Sequence, residues 1–200
     1  MVELFRQPTI TESDLCEIAR VSTGRKKRSD EELIQHLIDL CHDSIFEHAT
    51  MTFYVKCPIY TARQWMRHRI GSFTEKSGRY SQMKDYEATI STEDQDVVDE
   101  TLCELFGYYT EMVNAGTKKE EARQVLPLCT LTEFYWTVNL RSLMNFLSNR
   151  ADKHAQKDIS ENAEQVSKIF KEYYPNIFAA WKKRDDDVKR FLSERRGNAK

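Results

Sequence analysis

The chain has 200 residues, 40% of them hydrophobic and 11% aromatic, which suits one folded domain with a sizeable core and excludes a disordered chain. Thirty Lys and Arg face 32 Asp and Glu, a formal net charge of -2, so bulk electrostatics gives no reason for binding nucleic acid or an anionic membrane. Any anion site must therefore come from local clustering. No apolar run approaches the roughly 20 residues of a membrane-spanning helix, and the N-terminal Met1-Val-Glu-Leu-Phe-Arg-Gln-Pro8 lacks the apolar core of a signal peptide. The five cysteines (Cys16, Cys41, Cys57, Cys103, Cys129) are odd in number and never form a CxxC pair, which predicts reduced thiols, a cytoplasmic protein and no metal.

The first helix expected from periodicity runs from Glu31 to about Cys41, with Leu33, Ile34, Leu37, Ile38 and Cys41 at helical spacing. Ser29 and Glu32 supply its capping box. Thr50 to Cys57 is rich in strand formers, and Pro58 ends that strand while opening a helix from Ile59 to about Arg69. Tyr80 to Asp96 is polar and acidic and is expected to be a loop. A helix over Val97–Ala115 follows, with Gly116 at its C-terminus. Thr117 and Glu120 form a second capping-box pattern, opening a short helix that Pro127 ends. Phe134–Val138 favours a strand, and Leu140–Asn149 a helix in which Leu143, Met144, Phe146 and Leu147 face inward; two helices interrupted at Pro175 close the chain. Helices outnumber strands without regular alternation, so the class is α+β, with a single domain over residues 1–200.

One segment breaks the charge balance. Between Arg63 and Arg79 lie four arginines, one lysine and one histidine against a single acid, Glu75. Arg63 and Arg67, four residues apart, would share a helix face. Ser72, Thr74, Ser77 and Gly78 then offer hydroxyls and exposed backbone amides. Arginine presents a planar fork of donors that matches phosphate, and glycine permits close backbone approach. Composition alone is equally compatible with arginines that complement a helix dipole and with a basic RNA-binding loop.

The spacing of this segment goes further. Arg67-His68-Arg69, then seven residues, then Ser77 resembles the RHR-x7-S signature of the flavin-dependent thymidylate synthase family, and Ser77-Gly78-Arg79-Tyr80-Ser81 continues the match. Four other blocks follow the same order: Ala19–Ser22, His42–His48, Ala122–Leu128, and Trp136–Asp152 with His154. The resemblance implies an α+β fold with a twisted, largely antiparallel sheet flanked by helices. It also implies a homotetramer with active sites built between subunits, and bound FAD. The activity implied is reductive methylation of dUMP to dTMP, with 5,10-methylenetetrahydrofolate as carbon donor and NADPH as reductant. By the same resemblance Gln64, Arg67, Glu75, Ser77, Gly78 and Arg79 contact dUMP, and Arg123, from a neighbouring subunit, joins them at its phosphate. Ser44, His68, Arg69, Ile70, Glu75, Asn139, Arg141, Asn145 and His154 contact FAD. Arg150 engages the uracil ring and is the catalytic residue. Thr74 stands where the family often has Asn.

The chemistry is coherent with these residue types. No side chain donates hydride, so a cofactor must. An arginine beside the uracil carbonyls stabilises charge developing on the ring, and Arg150 keeps its charge at working pH. Ser77 sits among permanent cations that cannot take its proton, so it is expected to hydrogen-bond substrate and not to act as nucleophile. The His42-x5-His48 spacing fits no standard metal-ligand pattern. Trp65, Trp136 and Cys57 are expected in the core, and Asn139, from the residues alone, is expected to cap a helix.

Overall fold

The computed structural model describes residues 1–24, 27–87, 94–152 and 155–197. In chain order the elements are β1 (Val2–Arg6), α1 (Glu12–Arg20), α2 (Asp30–Asp39), a 3-10 turn (Asp43–Glu47), β2 (Thr50–Pro58), α3 (Ile59–Trp65) and β3 (Ser72–Glu75). There follow α4 (Gln95–Asn114), α5 (Lys119–Ala122), a second 3-10 turn (Arg123–Val125), β4 (Leu131–Asn139), α6 (Leu140–Arg150), α7 (Lys157–Tyr173) and α8 (Pro175–Gly197). The strands form one antiparallel sheet in the order β1-β2-β4-β3, so the class is α+β as expected. No helix among the described residues is long and apolar enough to cross a membrane.

The two central strands explain the sheet. In β2 Met51, Phe53, Val55 and Cys57 are buried while the residues between them are partly exposed, and β4 alternates likewise through Thr132, Phe134, Trp136 and Val138. A period of two puts each set on one face, and that face is apolar enough to fix the register. The edge strands are short: β1 buries only Val2 fully, and β3 is four residues long with Phe73 half-buried.

The chain divides into two compact units, Tyr54–Trp136 with Met1, and Val2–Phe53 with Thr137–Lys200. In the first, Trp65 meets Phe134 and Trp136 edge-on at 5.7 and 5.4 Å, and Phe73 stacks on Trp136 at 6.2 Å. Edge-on and offset pairs of this kind add about 0.5–1.5 kcal/mol each beyond the area they bury. Trp65 and Trp136 are 0% exposed, so both belong to the core, and so does Cys57. A second cluster in the same unit packs Met83, Tyr109 and Ala122 with Val125 and Leu126, and the Tyr109 hydroxyl accepts from the Met83 amide at 3.1 Å.

In the second unit Leu15, Ile34, Ile38 and Phe46 pack with the apolar faces of α6, α7 and α8, where Phe170, Tyr174, Phe178 and Trp181 form a chain of ring contacts. Arg184 ties α8 to the end of α2, donating to the Ile38 carbonyl at 2.8 Å and to Asp43 at 3.0 Å. The Ser29–Glu32 capping box is present at the start of α2, and Asn139 caps α6 by accepting from the Ser142 amide at 2.8 Å.

Several expectations are corrected. The helix after Pro58 ends at Trp65, capped by Met66, so Arg67 lies outside it and does not share a helical face with Arg63. Thr117 and Glu120 form no capping box: α5 begins one residue later than that pattern requires, with Lys118 in the cap position and no side chain capping the helix, and the Glu120 carboxylate is engaged by Arg79. Gly116 does follow α4, at φ +92, a conformation that only glycine adopts without strain. The two N-terminal elements, β1 and α1, and the edge strand β3 are additions that periodicity does not signal. Residues 88–93 of the expected Tyr80–Asp96 loop lie outside the described residues; the part before them is irregular apart from a bridge between Tyr86 and Thr130.

Tyr174 gives the second unit a measurable titration. Its hydroxyl donates to the Ile10 carbonyl at 2.8 Å, and burial, with Glu12 and Asp14 nearby, pushes its pKa up to about 12. Below about pH 10 the ring is neutral in both folded and unfolded chains; above it the unfolded chain ionises first, so stability falls as pH rises towards about 12. Burial raises Cys16 in the same sense, to about 11. Tyr174→Phe is expected to flatten the alkaline loss of stability, read as the urea midpoint at successive pH values, without abolishing the slope that Cys16 contributes.

Candidate functional site

The residues singled out by the sequence fall into two groups, one in each unit. In the Tyr54–Trp136 unit they occupy a continuous stretch from the end of α3 through β3 to the loop beyond. Gln64 sits on the last turn of α3; Arg67, His68 and Arg69 follow where the helix has stopped, and the His68 amide donates back to the Trp65 carbonyl at 3.0 Å. Arg67 and Arg69 are exposed, and Ile70 beside them is 70% exposed. An open aliphatic side chain next to guanidinium groups offers one surface for a flat apolar ring and another for its anionic tail.

β3 carries the chain to the loop. Its position is set by β4: the Lys76 amide donates to the Glu133 carbonyl at 2.9 Å, the Lys76 ammonium to the Glu133 carboxylate at 2.7 Å, and Thr132 Oγ1 to Glu75 Oε1 at 2.7 Å. The Tyr54 hydroxyl also donates to Glu133, and Lys76 and then Tyr54 hold that carboxyl below its ordinary pKa. Beyond β3 the loop turns tightly, with the Arg79 amide donating to Ser77 Oγ at 3.3 Å and the Ser81 amide to the Ser77 carbonyl at 2.8 Å.

That loop is held by α5 and the turn after it. Arg79 Nε donates to Glu120 at 2.9 Å, the Lys119 ammonium donates to the Tyr80 carbonyl at 2.9 Å, and the Arg79 guanidinium lies over the Tyr80 ring at 5.4 Å. Arg123 runs alongside Gly78, so close that a Cβ there would stand 3.3 Å from Arg123 Cδ and 3.5 Å from its Nη1. Within one chain, then, Ser77, Gly78, Arg79 and Arg123 come together, whereas the resemblance implies that Arg123 joins the others from a neighbouring subunit. Because Glu120 takes the Nε of Arg79, the two terminal nitrogens of the guanidinium fork remain for an anion. The exposed Arg79–Glu120 pair is itself worth only about 0–1 kcal/mol, so an incoming dianion competes against little.

In the other unit Ser44 is exposed in the first 3-10 turn, and Asn139, Arg141, Asn145 and Arg150 line α6. Arg141 is paired with Glu47, which raises its pKa through a direct hydrogen bond and its charge. Asn145 accepts from Asn149, and Arg150 is half-buried at the last turn of α6. His42 and His48 are both exposed at the ends of the 3-10 turn. His154 lies outside the described residues.

The model of the family described as thymidylate synthase complementing protein matches residues 3–176. The chain belongs to that family. Flavin-dependent thymidylate synthase from Thermosipho africanus is 41% identical over 190 residues, covering 82% of this chain and 83% of the relative. The enzyme of the same name from Thermotoga neapolitana is 43% identical over 178 residues, covering 82% of each. Among solved structures, a UMP/dUMP methylase, PolB, from Streptomyces cacaoi bound with 5-Br dUMP superposes with a TM-score of 0.82 at 30% identity, over 91% of this chain and 94% of that one.

Sequence reasoning misses the residues that hold this family's motif in place: Lys119 and Glu120 behind Arg79, Thr132 and Glu133 behind β3, and Glu47 behind Arg141. Glu120 is visible along the chain only as half of a capping-box pattern, and the others carry no local signal, since their partners lie 39 to 94 positions away. The contact at Gly78 is directly testable. Gly78→Val places branched carbons where Arg123 Cδ lies, and is expected to weaken binding of a nucleoside monophosphate by about tenfold, ~1.4 kcal/mol, in a calorimetric titration. The unfolding midpoint should barely change, because what must move is the flexible end of a surface side chain.

Proposed function

We propose that this chain is an FAD-dependent thymidylate synthase that methylates dUMP to dTMP, with 5,10-methylenetetrahydrofolate as carbon donor and NADPH as reductant, as a homotetramer in the cytoplasm. The observation that carries the reading is the loop at Ser77–Arg79, where two guanidinium groups and a glycine meet behind a carboxylate that orients one of them. Its support is the family match and the relatives' names, together with a structural neighbour that binds a brominated dUMP.

The residues suit both ligands. Arg79 and Arg123, with the Ser77 hydroxyl and the Gly78 backbone, would take the nucleotide phosphate; Gln64, Arg67 and Glu75, of the same unit, are assigned to the same nucleotide. For FAD, the diphosphate calls for exposed cations and the ring for an exposed apolar contact, and Arg69 and His68 beside Ile70 meet both needs. Ser44, Arg141, Asn139, Asn145 and His154 are assigned to the same cofactor. When bound, FAD supplies the hydride chemistry that no side chain can.

The work left to the protein is positional and electrostatic. A guanidinium from Arg150 beside the uracil carbonyls and N3 favours the electron-rich ring by stabilising negative charge as it develops, and being permanently charged it needs no proton exchange to do so. Ser77 donates or accepts a hydrogen bond with no base at hand, which leaves it a ligand-orienting group. Arg79, pre-aimed by Glu120, loses less side-chain entropy when phosphate arrives than a free arginine would.

The purified protein is expected to be yellow, to oxidise NADPH and to make dTMP only when dUMP and methylenetetrahydrofolate are both present; a colourless protein that takes up no flavin would overturn the proposal. Arg150→Ala should lower kcat by about 10²-fold or more, the scale of losing one electrostatic donor, with the flavin spectrum retained. His68→Ala should instead raise the Kd for FAD, measured by quenching of flavin fluorescence.

A further inference from the structure

We propose that Thr132 is a positioning residue for ligand recognition: its hydroxyl fixes the Glu75 carboxylate so that one oxygen remains aimed at a hydroxyl or ring N–H of the bound ligand. This rests on the reading of Glu75 as a nucleotide and flavin contact.

The geometry comes from two strands of the same unit. On β4, Thr132 shares the inner face with Phe134 and Trp136, at steps of two, and is only 2% exposed. On β3, Phe73 stacks on Trp136 and leans on Phe134, and Glu75, two residues further, leaves the strand from that same face. The carboxylate therefore starts at the rim of a wall of aromatic rings, where water is displaced on one side. Thr132 Oγ1 donates to its Oε1 at 2.7 Å. A threonine in a strand has few allowed χ1 positions, so the backbone of β4 aims this donor. Without it, Oε1 would face the rings with nothing to accept from, and the carboxylate would swing out to water.

The residue that follows each of these two provides the contrast. Lys76 and Glu133 join on the opposite face, main chain to main chain at 2.9 Å and side chain to side chain at 2.7 Å. They hold β3 against β4, whereas Thr132 holds the Glu75 carboxylate itself. An ionised carboxylate only accepts, so its Oε2 selects a donor on the ligand and turns a phosphate away. The anion is thus left to Arg79 and Arg123 further along the loop.

The test uses flavin-loaded protein, with dUMP titrated by calorimetry and FAD affinity measured after reconstitution. Thr132→Val, close to isosteric, is expected to raise the Kd for dUMP or FAD about tenfold, and Thr132→Ser to restore it to within about twofold, as a hydrogen bond to a charged group should. Thr52→Val, which makes the same change at a hydroxyl paired only structurally with Thr137 Oγ1 at 2.9 Å on the neighbouring strand, is expected to lower the unfolding midpoint while leaving both Kd values near wild type. In a Glu75→Gln background, Thr132→Val should add little. The proposal is overturned if Thr132→Val binds both ligands normally, if serine fails to restore binding, if Thr52→Val weakens binding as much as Thr132→Val, or if the Thr132 and Glu75 effects simply add. Should Glu75→Gln itself bind both ligands normally, the assignment of Glu75 falls and takes this proposal with it. Should Glu75→Gln weaken binding while Thr132→Val does not, only the role of Thr132 falls.

Discussion

The pairing of β3 with β4 is the constraint on which the cationic loop depends. β3 is a four-residue edge strand, too short to hold a position on its own energy, yet the loop with Ser77, Gly78 and Arg79 hangs from its end. What secures it is β4, whose inner face is packed by Trp65, Phe134 and Trp136 and whose side chains reach β3 from both faces. Burial of large aromatic rings is non-directional and strong; the hydrogen bonds add direction. The strand that is most firmly packed thus sets the register of the strand from which the cationic loop hangs.

A second regularity is the treatment of the arginines. Guanidinium groups brought close to one another repel, by about 1 kcal/mol at 4 Å in water and more where water is thin. Arg79 and Arg141 each have a carboxylate partner, Glu120 and Glu47, at a surface where such pairs are individually weak. A weak partner is well suited to this place. It orients the fork and offsets repulsion, and still yields to an anion of higher charge.

Much of the fold is legible along the chain. Strong apolar periodicity over Leu33–Ile38 and Leu143–Leu147, a serine capping box, and Pro58 and Pro175 as punctuation place α2, β2, α6, α7 and α8 close to where they lie. The strands that periodicity does not signal share a physical feature: they bury little. β1 has one fully buried residue and β3 none, so neither shows the alternation that marks a half-buried strand. The helix after Pro58 is shorter than its composition predicts: the run to Arg69 contains good helix formers, yet the chain leaves the helix at Met66 and enters the segment that leads to β3. Thr117–Glu120 has the right spacing for a cap, but α5 begins one residue later than that cap requires, with Lys118 in the cap position, and Glu120 turns to Arg79.

The sequence by itself determined the family, the α+β class and which residues carry the charge, because these reside in residue identity, spacing and local periodicity, which are read along the chain. Only the tertiary structure decided which partner stands behind each charged group: Glu120 behind Arg79, Thr132 behind Glu75, Glu133 behind Lys76. These partners are brought together by strand register and helix packing over 41 to 57 positions. No local pattern encodes such a distance, since the energy that closes it comes from burying aromatic and aliphatic side chains elsewhere in the chain.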